Sequence, residues 1–440
     1  MTSRETLSLL RRYESRNVTF IASDGSWPIV WERARGNHVW DVAGKRYLDL
    51  TAAFGVAAAG HANPRVVAAG QRQMARLLHA MGDVHPHPLK AKLARVLSRI
   101  TFERWTGRGH GNGKTIFCNS GFEAVEAALK TARLATGKPG VIAFTGAYHG
   151  VGYGALNATH REHFRCAFRD QLGQFGRFVP FPSRVDADRK PGPIADRLTV
   201  SIQRLLKKGT VGAILVEPIQ VRGGINLPPD WFLPALRELC DQHGALLILD
   251  EIYTGFGRTG KWFACEHVKV TPDVVCLGKA LTGGFPLSAC VGRAEVMDAA
   301  WPASSGEAIH TSTFLGHPVG CAMALAQIEA VRTLKLVERS ASLGRRLLER
   351  LQSLAAPRLQ LSARGMGLLA GIELRRGDGS PATATALRAI TELLHRGFIL
   401  LPEGEHANVI SFTPPLTISE GELERALRQL EQVLKTRTGR

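Results

Sequence analysis

The stretch that decides the fold is residues 245–284, ALLILDEIYTGFGRTGKWFACEHVKVTPDVVCLGKALTGG. Its first piece, ALLILDEI (245–252), is apolar from Ala245 to Leu249 and turns acidic at Asp250 and Glu251. Further on, DVVCLGK (273–279) sets another apolar run before a lysine. Continuous rather than alternating hydrophobicity is the pattern of a strand covered by helices on both faces. Working outward, the same pattern recurs in TIFCN (115–119), GVIAF (140–144), VGAILVEP (211–218) and SACVG (288–292). Helical stretches separate several of these runs, for example Phe232 to His243, with Gly244 placed to cap it. This layout predicts an α/β fold with a mostly parallel central sheet.

With 440 residues the chain is too long for one ordinary domain. We expect an N-terminal segment at 1–63 that joins a small domain, a large domain at 64–318, and a C-terminal small domain at 319–440. The first segment carries the strand-like pieces HVWDV and RYLDL between turn signals. After Pro318 a long helical run to about Leu354 is followed by a strand at 367–374, another helix and a last strand at 408–412. A final helix runs from Ser419 to about Lys435, with Ser419 and Glu422 in capping-box spacing. The two ends therefore read as α+β and as parts of one small domain. The turn-rich segment 180–193 reads as a surface loop.

Apolar residues make up 45% and charged residues 21%, which excludes disorder, collagen and coiled coil for the chain as a whole. The longest small-apolar stretch, Ala52 to Ala59, is short and broken by Gly55, so no membrane span is expected. There are 56 basic and 38 acidic residues, a net charge of +18. The basic residues are scattered and mixed with acids, and the densest basic loop, 104–114, has no nucleic-acid motif beside it. A basic solvated surface is the reading, with no nucleic-acid partner. The seven cysteines include no Cys-x-x-Cys pair, and several sit in apolar runs, which points to a reducing compartment. The charged N-terminus, with Glu5 and Glu14 among its arginines, reads as neither a secretory signal nor a mitochondrial presequence, and a cytoplasmic location is expected.

Four features carry chemistry. Asn119-Ser120-Gly121-Phe122-Glu123 lies between a strand and a helix; Ser120 and Glu123 have capping-box spacing, and the free amides of Gly121 and Phe122 would bind phosphate. An ordinary capped helix has the same pattern. Tyr148-His149-Gly150 follows the strand GVIAF, where an aromatic stacks on a flat ring or simply fills the rim. Asp250 ends a buried strand and needs a cation, whether a metal, an arginine or a protonated ring nitrogen. Lys279, in an apolar stretch before Gly283 and Gly284, is either a Schiff-base lysine with a lowered pKa or a snorkelling strand-end lysine.

In this order the four features resemble the class III (ω-amino acid) aminotransferases, fold-type I enzymes that use pyridoxal 5′-phosphate. The resemblance covers nearly the whole chain, from VWDVAGKRYLDL and GHANP through NSGFEAVEAALK, FTGAYHG, LVEPIQ, LILDEIYTGFGRTGK, LGKALTGGFPLSA and HTSTFLGHP to PPLTI. It implies a large domain for the cofactor and a small α+β domain formed by both chain ends. It implies that Lys279 forms the Schiff base and shuttles a proton, and that Asp250 pairs with the pyridine nitrogen. It further implies that Tyr148 stacks on the ring, that Gln220 lies near its 3′-oxygen, and that Gly121 and Phe122 bind phosphate. Thr313 would join that phosphate site from the second subunit of a homodimer. Ser120, His149 and Glu217 belong to the same implied cofactor set, and no metal is called for.

Departures from the family pattern bear on substrate. Phe122 stands where relatives commonly have Thr, Ser or Ala, and His317 replaces the Asn of the family's G-N-P. Glutamate-using relatives place arginines where this chain has Val151 and Ser411, and a gating Glu where it has Arg222. These three positions are the expected substrate contacts. The expectation is a ping-pong transaminase that takes an amine or ω-amino acid as donor and prefers pyruvate to 2-oxoglutarate as acceptor. The rival readings are a racemase, epimerase, mutase or lyase with the same cofactor, a nucleic-acid binder, and an inactive relative.

Overall fold

A computed structural model describes residues 1–107, 111–183 and 193–435. The surface loop expected at 180–193 and the basic loop at 104–114 fall partly outside these residues. The apolar runs form one seven-stranded sheet, in the order Gly113–Cys118, Ser288–Arg293, Val274–Leu277, Leu246–Asp250, Val211–Val216, Gly140–Phe144, Gly176–Val179. The strands from Val274–Leu277 to Gly176–Val179 are mutually parallel, and Ser288–Arg293 runs antiparallel to both its neighbours. The α/β class with a mostly parallel sheet is therefore present.

The period of two along each strand sends alternate apolar residues into two cores. Val141, Ala143, Ala213, Leu215, Ile248 and Val274 pack on one side, against the alanine-rich face of the helix Gly121–Thr136. Ile142, Phe144, Ile214, Val216, Leu247 and Leu249 face the other way, into the main core. Small residues on the first face let the helix approach closely, and both faces exclude water, as the unbroken runs require.

Two four-stranded sheets hold the remaining strands. Trp31–Arg35, His38–Asp41 and Arg46–Asp49 are joined by Phe398–Ile399, which pairs in parallel with Arg46–Asp49. The other sheet has the order Leu359–Met366, Leu369–Arg376, Val409–Phe412, Leu401–Glu403. The two chain ends thus share a sheet. The helix Phe232–His243 ends where expected, on Gly244 in the left-handed conformation at φ 60°. The Ser419–Glu422 capping box is closed in both directions, at 3.2 and 2.8 Å. The long helix expected after Pro318 is two, Pro318–Thr333 and Leu336–Gln352, because Lys335 takes a left-handed φ of 50° between them.

Arg258 in the TGFGRTG turn is one of the largest fully buried side chains. Its Nη1 donates to the carbonyls of Leu368, at 2.9 Å, and Pro414, at 2.6 Å. Burial pulls its pKa down to about 10. The arginine thereby joins the turn after Asp250 to both C-terminal segments. Arg258→Ala leaves two buried carbonyls without a donor and opens a cavity, so unfolding free energy by urea titration should fall by about 3–5 kcal/mol.

Candidate active site

Asp250 is the last residue of its strand and stands opposite Cys276 on the neighbouring strand. That neighbour ends at Leu277, and Gly278 leads straight into Lys279. Both chemical residues are thus delivered to the carboxyl edge of the sheet, where open α/β sheets bind ligands. A cleft of about 250 Å³ opens there, lined among others by Phe122, Tyr148, Asp250, Tyr253 and Lys279. A larger hollow of about 540 Å³ lies elsewhere, lined by Leu129, Phe175, Trp301 and Ile309, and shares no residue with this cleft.

Asp250 Oδ2 lies 2.8 Å from His149 Nδ1, and Oδ1 accepts the Ile252 amide at 3.1 Å. A carboxylate only accepts, so Nδ1 donates in this bond, and Nε2 has no hydrogen-bond partner among the described residues. The His149 amide donates to Thr159 Oγ1 at 2.9 Å, which fixes the imidazole's backbone. Glu217 accepts the Tyr148 amide at 2.9 Å, and burial pushes its pKa up to about 7, with Asp250 adding to the rise and His149 opposing it. Lys279 Nζ lies 4.4 Å from the Tyr253 ring centroid. Desolvation lowers the lysine's pKa, while Asp250 and Glu217 pull it back up.

Gly121 begins the helix Gly121–Thr136, and its first N–H groups have no intrahelical acceptor. The capping box expected at Ser120 is not made. Glu123 turns back to accept the Asn119 amide at 2.8 Å, and the buried Ser120 Oγ has no hydrogen-bond partner among the described residues. Phe122 lines the cleft against Gly150, where a Cβ would come within 2.3 Å of the Phe122 Cβ. The bulky residue at 122 is thus matched by glycine in the Tyr-His-Gly turn.

Other expected residues fall differently. Gln220 is buried, with Nε2 donating to the Thr145 carbonyl at 2.8 Å and Oε1 accepting from Asn226 at 3.3 Å. Its amide is spent on the polypeptide, and it is not part of the cleft lining. Thr313 is exposed and does not line this chain's cleft. Val151 lines the cleft, whereas Ser411 is buried and donates to the Leu401 carbonyl at 3.0 Å. Arg222 lines the cleft and is paired with Glu403 at 3.2 Å. Sequence reasoning missed Glu403 and Tyr253. Tyr253 directly follows the Asp250-Glu251-Ile252 stretch and was readable, but LPEGEH around Glu403 reads only as a turn.

The sequence family described as aminotransferase class-III matches residues 20–434. The chain belongs to the class-III aminotransferases. It is 40% identical to a putrescine aminotransferase from Pectobacterium atrosepticum, over 99% of this chain and 90% of that protein. It is 37% identical to a 5-aminovalerate aminotransferase from Pseudomonas aeruginosa, over 92% of this chain and 93% of that one. Among solved structures, it is similar to an aminotransferase from Bacillus anthracis, with a TM-score of 0.88, 28% identity and 99% of each chain covered. These enzymes have the type I fold and use pyridoxal 5′-phosphate, and this aminotransferase is an enzyme of the same kind. The donor set of its cleft fits that group. A desolvated amine, a buried carboxylate, an unpartnered hydroxyl at Ser120 and open amides at a helix start answer to an aldehyde, a ring nitrogen and a phosphate.

Glu217 binds more protons folded than unfolded between its ordinary value of 4.5 and about 7, so its share of stability falls as pH rises through that window. Glu217→Gln in the cofactor-free aminotransferase should therefore be favoured over wild type more at pH 8 than at pH 4.5, by about 3 kcal/mol. Urea unfolding at the two pH values measures the difference, and an equal effect at both would refute the assignment.

Proposed function

We propose that the protein is a homodimeric transaminase that moves an amino group from an amine or ω-amino acid to a monocarboxylate keto acid, with pyruvate preferred to 2-oxoglutarate. The observation that carries this reading is one cleft that holds Lys279, Asp250 and Arg222 and has Val151 at one of the two positions where dicarboxylate-binding arginines would stand, while Ser411, at the other, is buried outside the lining. Among the described residues that line the cleft, Arg222 carries the only guanidinium, and a second carboxylate desolvated there without one would cost several kcal/mol. The relatives' named substrates, putrescine and 5-aminovalerate, each offer a primary amine at the end of a short chain.

When bound, pyridoxal phosphate supplies an electrophilic carbonyl carbon and a ring that withdraws the electron pair left at the substrate carbon. Lys279, with its lowered pKa, is the amine that tethers the cofactor and moves the proton. Asp250, held by His149, keeps the ring nitrogen protonated. Ser120 and the amides of Gly121 and Phe122 would hold the phosphate, and Tyr148 would contribute an aromatic face to the ring's site. Arg222 is the anchor for the acceptor's carboxylate.

Thr313 supports the dimer in this reading. It sits in an exposed loop beside Phe314, which meets His79 at 5.4 Å between ring centroids, and Leu78, Met81 and Val84 are exposed in the same neighbourhood. An apolar patch of this kind suits a second copy of the chain. Next to it, Ser312 touches Asn119 at 3.4 Å, one residue before the phosphate cup. The large domain is read as 64–318, with 1–63 and 319–440 making the small one. All seven cysteines are free, in keeping with the cytoplasm.

Lys279→Ala should abolish turnover, and borohydride treatment of the wild type should fix the cofactor on Lys279 in a peptide map; fixation on another lysine removes the assignment. Asp250→Asn should cut turnover roughly 100- to 1,000-fold, the equivalent of losing a buried charge pair. For the acceptor, enzyme loaded with an amino group should be discharged faster by pyruvate than by 2-oxoglutarate in single-turnover mixing. The reverse order overturns the acceptor assignment. Turnover of a single amino acid without any keto acid would favour a racemase instead.

A further inference from the structure

Part of the chain's net charge of +18 gathers at a hollow of about 370 Å³ that shares no residue with the cleft. Its lining includes His38, Arg46, Arg396, Arg425 and Gln429, with Leu48 and Phe398 as apolar neighbours. The sequence places these residues at both chain ends, and the fold unites them at the sheet the two ends share. Arg46 and Leu48 lie on the strand Arg46–Asp49, and Phe398 stands opposite Leu48 on the paired strand. The Leu48 amide donates to the Gly397 carbonyl at 2.8 Å, so the hollow straddles the seam between the ends. Arg425 and Gln429 stand about one turn apart on the helix Glu420–Lys435, hence on one face of it.

Ion pairing sorts the three guanidiniums. Arg396, at the end of the helix Thr383–His395, is paired with Glu392 and donates to Gln429 Oε1 at 3.0 Å. Among the described residues, Arg46 and Arg425 have no acidic partner, and the acids beside them are engaged elsewhere. Glu422 Oε1 lies 3.6 Å from His38 Nε2, while its Oε2 accepts from Asn37 at 2.9 Å and from the Ser419 amide at 2.8 Å. Glu424 accepts from Arg350 at 3.2 Å. Burial holds the His38 pKa below its usual value; Glu422 opposes this, and Arg46 and Arg425 add to the lowering. Both guanidiniums thus act on one imidazole, and the positive charge around the hollow is not balanced from within the described residues. All three arginines are exposed, so an anion reaches them without rearrangement.

We propose that this hollow binds a small polyvalent oxyanion of the pyrophosphate type, bridged between Arg46 on one wall and Arg396 and Arg425 on the other. A guanidinium is planar, permanently charged and shaped to hold an oxyanion through parallel N–H bonds. Guanidiniums on separate elements around one hollow suit an anion with an oxyanion group for each wall. The volume is that of a small-molecule site. The site stands apart from the cleft and takes no part in amino transfer. A bound anion ties the strand Arg46–Asp49 to the C-terminal helix, and so stabilises the fold by mass action.

Isothermal titration of the holoenzyme with inorganic pyrophosphate at physiological salt tests this, because the cofactor's own phosphate then fills the cleft's anion site. Binding should be saturable, and roughly tenfold or more tighter than that of orthophosphate, whose single group cannot meet both walls. Arg46→Gln combined with Arg425→Gln should weaken pyrophosphate binding roughly 10- to 100-fold while transaminase turnover persists, which shows the variant to be folded. Arg46→Lys with Arg425→Lys keeps both charges and loses both planar forks, so it should weaken binding by a smaller factor; it carries the same test if the Gln pair loses turnover. A control pair outside the hollow, Arg72→Gln with Arg76→Gln, should leave the affinity unchanged. The site is overturned by a wild type without saturable binding, by equal affinity for the two phosphates, or by an Arg46 and Arg425 pair that binds as tightly as wild type. A control pair that loses as much affinity also overturns it, since the general positive surface then holds the anion.

Discussion

The structure depends on how the carboxylate of Asp250 is given hydrogen-bond donors at the dry end of a strand. Such a group is tolerated only with donors around it, and the chain recruits them from far away. His149 supplies one from the turn after the Gly140–Phe144 strand, and the Ile252 amide supplies the other. Thr159 then holds the His149 amide and donates in turn to the Gly150 carbonyl, which closes the turn on itself. Glu217 ties the next strand's end to the Tyr148 amide. Three strand ends are thus bound into one polar cluster around a single carboxyl group. Among the described residues no Arg or Lys is in ion-pair contact with Asp250, whose side-chain partner is the imidazole of His149 at 2.8 Å.

Much of this was legible in the sequence, because the signals were local. Unbroken apolar runs marked the covered strands, and Asp250 and Lys279 stood at the ends of two of them. The direction of Ser288–Arg293 was not legible, since SACVG is apolar whichever way it runs. Gly176–Val179 was missed because GRFV is short and mixed, as an edge strand is allowed to be. The break at Lys335 left the helical pattern almost undisturbed on either side and escaped notice. In the site, the Ser120–Glu123 pattern misled because Asn119 competes for the same carboxylate. Glu403 could not be found at all. Its burial and its pairing with Arg222 arise from contacts 181 residues apart, and nothing near it in the chain announces them.

A second constraint bears on Lys279, which adopts φ 43°, a conformation that a lysine avoids without support. Its support can be traced outward. Lys279 lies over the Tyr253 ring at 4.4 Å. Tyr253 in turn lies so close to Gly55 that a Cβ there would stand 2.8 Å from Cε1, so only glycine admits the ring. Gly55 belongs to a short turn in which Ala52, Ala53 and Phe54 are all left-handed, at φ 47°, 48° and 61°. That run is held by Asp49, fully buried, whose carboxylate takes the Thr51 amide at 2.8 Å, the Thr51 hydroxyl at 2.6 Å, the Ala53 amide at 3.1 Å and His61 Nε2 at 2.7 Å. Strain of a few kcal/mol spread over four residues persists only where the surroundings over-determine it, and Asp49 does so from the N-terminal sheet. The N-terminal segment therefore does more than share a sheet with Phe398–Ile399: through Gly55 and Tyr253 it fixes the direction from which the lysine enters the cleft.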